Sequence, residues 1–182
     1  MTKHLFVALL VAAVLIFVAA PISATNIYGE YDQLDTRPHL NVRAGIFFTS
    51  GDLEDSNELY GGLEYEMPLN KLSNGTPGSL TLSADYTQIS SVSGDATLVP
   101  VLLNFKRRTV ARDYPLYFAL GAGVYWANDP IPEMQLDDGA SFAWQLMAGV
   151  EFQSGFFIEG RYLAGENPSD DGLTALSIGL HF

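Results

Sequence analysis

The sequence contains no cysteine among its 182 residues, so neither a disulfide framework nor a thiolate zinc site can hold it together. Positive charge is scarce. Nine Lys and Arg stand against 21 Asp and Glu, a formal net charge of -12. No basic stripe interrupts this excess, and a nucleic-acid partner is not expected. Histidine occurs only at His4, His39 and His181. Long apolar runs are confined to the first 20 residues, and the helical period of 3.6 is lacking throughout.

The one long apolar run follows Lys3 and His4. It reads LFVALLVAAVLIFVAA (5–20) and leads into the small-residue stretch Pro21, Ile22, Ser23, Ala24. A charged start, an apolar middle shorter than the ~20 residues of a spanning helix and a small-residue end describe an export signal over 1–24. Residues 25–38 keep no sustained period and are read as a leader.

From residue 39 to 182 a period of two replaces it. The segments are LNVRAGIFF (40–48), LYGGLEYEM (59–67), LTLSADYT (80–87), LVPVLLNFK (98–106), LYFALGAGVYW (116–126), FAWQLMAGVEF (142–152), FFIEGRYLA (156–164) and LTALSIGLHF (173–182). Each has the length at which a tilted strand crosses a bilayer, and their even number suits closure. The expected fold is all-β, an eight-stranded antiparallel transmembrane barrel in up-and-down order. Pro100 lacks an N–H and predicts a bulge in the fourth strand.

Alternation alone fits a soluble barrel as well as a membrane one. Side-chain volume and charge separate them. One face carries bulky apolar groups. The other carries Gly45, Gly62, Gly121, Gly123, Gly149 and Gly179 and nearly all the charge. A narrow lumen suits the glycine face, and lipid suits the bulky one. The expected lumen network is Arg43, Glu64, Glu66, Asp85, Lys106, Glu151, Glu159 and Arg161. Five acids there face three bases. Tyr65, Tyr86, Trp126, Phe152, Tyr162 and Phe182 fall near segment ends, as an interfacial girdle would.

The connections are charged unequally. Those at 50–58, 88–97, 127–141 and 165–172 hold acids and neither Lys nor Arg. Among the acids are Asp52, Glu54, Asp55, Asp137, Asp138, Asp170 and Asp171. Lys71, Arg107, Arg108 and Arg112 fall between the other segments. Acidic, mostly longer loops are expected outside and basic or short turns in the periplasm.

Stretches such as AGIFF, YGGLEYEM, LGAGVYW and MAGVEF, with the terminal LSIGLHF, resemble the small eight-stranded outer-membrane barrels. The transmembrane domain of outer membrane protein A and the opacity-type and X-type barrels are the likenesses. The resemblance implies residence in the outer membrane among its lipids and lipopolysaccharide. It also implies insertion by the barrel-assembly machinery through a terminal Phe, and a monomer. The function expected is structural and surface-directed, with a mostly plugged lumen and no cofactor. A narrow ion pore is the alternative. A lipid-modifying enzyme is a further one, but His39 and His181 lie at the inner end without a serine nearby. Two histidines without a third convergent ligand predict no metal site.

Overall fold

The computed structural model describes residues 38–48, 57–69, 78–91, 94–111, 114–128, 139–152, 154–165 and 172–182. The expected signal (1–24), nearly all of the leader and the loop acids Asp52, Glu54, Asp55, Asp137, Asp138, Asp170 and Asp171 lie outside them. Eight strands follow in order: β1 (His39–Phe48), β2 (Asn57–Leu69), β3 (Gly78–Ser91), β4 (Gly94–Ala111), β5 (Tyr114–Asn128), β6 (Gly139–Glu151), β7 (Phe156–Gly165) and β8 (Leu173–His181). Each pairs antiparallel with the next, and β8 returns to β1, which closes the barrel.

Closure removes the sheet edges that would otherwise invite pairing with other chains. The β1–β8 ladder runs from Asn41↔His181 to Phe48↔Thr174. Just below it, the Phe182 N–H donates to the Leu40 carbonyl at 2.8 Å, and the Leu40 N–H donates back at 3.3 Å. The end of the barrel holding His39 and Phe182 is called lower here, and the end holding Phe48 and Leu173 upper.

Three sequence expectations need correction. The segment 88–97 is not a loop. β3 continues to Ser91 and β4 begins at Gly94, leaving only 92–93 between them. Arg107 and Arg108 do not sit in a turn either, because β4 continues to Ala111. A run of basic residues also marks a turn, yet here the alternation persists through it. Arg108 stays inside because carboxylates await it.

Nor does Pro100 make a bulge. The β3–β4 ladder opens between Ala84↔Val101 and Thr87↔Leu98 and resumes in the same register. Opposite, Pro100 still pairs with Tyr125 of β5. The missing N–H faces β3, so a bond is lost without a residue being inserted.

The faces separate as the alternation predicts. Outward side chains are apolar and uncovered, with Leu120 and Trp126 each 58% exposed and Leu103 53%. Among the described side chains on that face, Arg107 is the only charged one. The inward face is buried along every strand and holds almost all the described charge. The lumen is nevertheless filled by large groups, which the glycine-rich face alone did not announce. Gly45 lies under the Tyr60 ring, Gly149 under Tyr117 and Gly179 under Phe157; a Cβ at any of them would collide with that ring. The glycines make room for their neighbours' side chains in an interior too narrow for two bulky residues abreast.

Candidate functional site: a charged lumen beneath an apolar plug

The lumen has two storeys. The upper one is apolar: Phe47, Tyr60, Ile89, Leu98, Leu102, Tyr125, Leu163 and Leu173 form one buried cluster, completed by alanines. Phe47 and Tyr60 meet with ring centroids 4.4 Å apart. These residues come from the ends of odd strands and the starts of even ones, so they converge at one mouth.

Below lies the charge. Arg43 grips Asp85 in fork geometry, Nε to Oδ1 at 2.8 Å and Nη2 to Oδ2 at 3.0 Å, and gives Nη1 to Glu64 at 3.1 Å. Arg161 approaches the same Asp85 through Nη1 and bonds Glu159 through Nη2 at 3.0 Å. Lys106 donates to Glu64 at 3.1 Å and to Glu66 at 3.0 Å. Its ammonium stands 4.4 Å from the centroid of the Tyr117 ring. All eight residues of the expected network thus lie in one lumen.

Alternation missed several of their partners. Arg108 forks onto Glu151 at 2.7 and 2.9 Å and reaches Glu66 and Ser79. It brings four bases against five acids, where three were expected. Its parity with Lys106, two residues earlier, was the available signal. Neutral groups were missed too, because nothing in their type marks them. The Tyr117 hydroxyl donates to Glu159 at 2.8 Å. Asn41 Nδ2 donates to Glu64 at 3.0 Å and Glu66 at 3.3 Å. Gln145 donates to Asn104, whose amide donates to Thr81 at 3.0 Å.

His39 and His181 face each other edge-on across the β1–β8 seam, ring centroids 5.3 Å apart. His39 lies 3.5 Å from Glu66 and His181 3.6 Å from Glu151. Among the described residues no cluster of three or more His, Asp or Glu is arranged to hold a metal ion. Buried charge held by several partners at once resists displacement, because moving one member takes hydrogen bonds from its neighbours in a low-dielectric interior.

No family model and no curated protein matches the sequence. Solved structures do. The outer membrane enzyme PagL superposes with a TM-score of 0.58 at 15% identity, over 79% of this chain and 98% of that one. Neisserial surface protein A superposes with a TM-score of 0.57 at 14% identity, over 79% of this chain and 95% of that one. This chain has the fold of the small outer-membrane barrels. The expected architecture is thereby shown. At such low identity the likeness speaks for fold alone, since barrels of this kind host several activities. What distinguishes this outer-membrane-type barrel is its own lumen, apolar above and ion-paired below.

Proposed function

We propose that the protein is an integral outer-membrane barrel with a sealed lumen, serving as a scaffold that carries acidic loops on the cell surface. The observation that carries this reading is the lumen packing. An apolar cluster and an interlocked ion network lie in series. A passing ion would have to break both. The uncovered apolar outer face supports burial in lipid.

In this reading the lower end faces the periplasm, and the loops bearing Asp52, Glu54, Asp55, Asp137, Asp138, Asp170 and Asp171 face outward. The barrel sits as a monomer among outer-membrane lipids and lipopolysaccharide, delivered by the export signal and inserted by the barrel-assembly machinery. It performs no catalysis. Planar-bilayer recording of the protein tests the seal. The expected result is no discrete channel; stepwise conductance would replace this reading with a narrow pore. Incubation with lipid A followed by mass spectrometry tests the enzymatic reading, and unchanged acyl chains are expected.

A further inference from the structure

The lower mouth contains a hydrogen-bond chain whose direction is fixed by its own geometry. Asn41 spends its Nδ2 donors on two carboxylates, Glu64 at 3.0 Å and Glu66 at 3.3 Å. Turning the amide over would set its carbonyl oxygen against both carboxylates. Oδ1 therefore faces His181, 2.6 Å from Nδ1. Oδ1 can only accept, so Nδ1–H of His181 donates. A neutral ring with its hydrogen on Nδ1 carries a lone pair on Nε2. That Nε2 points at Glu151, 3.6 Å from Oε1. A proton added at Nε2 would turn that facing lone pair and carboxylate into an ion pair.

The charge count of the lumen is uneven. The described lumen holds Arg43, Lys106, Arg108 and Arg161 against Glu64, Glu66, Asp85, Glu151 and Glu159, one acid in excess. Phe157 of β7 stacks near the His181 ring, centroids 5.0 Å apart, and holds it in place.

We propose that His181 is a single-proton acceptor, held in the Nδ1–H tautomer by Asn41, which takes up its proton at Nε2 against Glu151 on acidification. The proton arrives from water at the mouth, leaves the ring as an imidazolium and completes the lumen's charge. Because Asn41 and His181 are ladder partners on the first and last strands, the loaded ring ties β1 and β8 to Glu151 of β6. Proton occupancy thus adjusts the seam at which the barrel closes.

The test is nitrogen-15 spectroscopy of labelled histidine in the folded full-length chain in lipid nanodiscs. The expected result is the Nδ1–H pattern for His181 in its neutral form, with Nε2 protonating as pH falls. Glu151→Gln should move that midpoint down by about one pH unit, a tenfold weaker proton affinity. Asn41→Leu should release the tautomer, and the neutral ring should revert to Nε2–H. This second variant keeps the test decisive if Glu151→Gln fails to fold after losing its Arg108 fork. An Nε2–H tautomer in the unaltered protein, a midpoint indifferent to Glu151, or a tautomer indifferent to Asn41 would overturn the proposal.

Discussion

Two adjacent arginines show how much a single position decides. Arg107 and Arg108 have the same chemistry and opposite fates, because successive strand residues point to opposite faces. Arg108 is buried against Glu151 and Glu66. Arg108→Met strips buried Glu151 of its fork and Glu66 of one of its partners, and should cost about 3–5 kcal/mol, the range for breaking a buried ion pair. Arg107→Met, on the outer face, should change stability by less than about 1 kcal/mol, as for charges near a barrel's interface. Urea unfolding midpoints of the two variants in the same detergent provide the check. Equal losses would mean that the register through this part of β4 is misassigned. The inward parity of Arg108 was readable in the sequence. That it belonged to the strand was not, because a run of basic residues also marks a turn.

At the scale of the element, the strands are unequal. The β4–β5 ladder runs from Thr97↔Asn128 to Ala111↔Tyr114, whereas β8 meets β7 only from Phe156↔Leu180 to Leu163↔Leu173. Longer ladders need more bonds opened together, so β4 and β5 should hold the slowest-exchanging amides. β8, with short ladders on both sides, should exchange fastest among the strands. Hydrogen exchange resolved by residue measures this order, and the reverse order would show that stability does not follow ladder length here. The sequence hid this asymmetry. Its alternation marked the cores of the strands, but both ends of β4 carry turn-like residues, Gly94 and Asp95 at one and Arg107 and Arg108 towards the other.

For the whole molecule, the barrel inverts the usual arrangement of a soluble protein, with apolar groups outside and charge inside. The outward face therefore should not tolerate charge at mid-strand. Leu120→Arg, at an uncovered position in the middle of β5, should cost about 2–4 kcal/mol in lipid, the range for arginine at the bilayer midplane. Refolding equilibria in vesicles measure it. A loss below about 1 kcal/mol would place Leu120 away from the bilayer centre or outside lipid altogether.

The sequence by itself determined the strand count, the two faces and the inward direction of the eight charged residues first assigned to the lumen. A period of two is a local property, and each strand displays it alone. Only the tertiary structure decided which charges meet. Asp85 of β3 serves Arg43 of β1 and Arg161 of β7 across the lumen, and Asn41 orders His181 through carboxylates on β2. Those pairings depend on the register of every strand and on the closure of the ring, and neither is written in any one segment. The division of the lumen into an apolar storey and a charged one has the same origin. Odd and even strands run in opposite directions, so the apolar half of one meets the apolar half of the next only after antiparallel pairing has set them side by side.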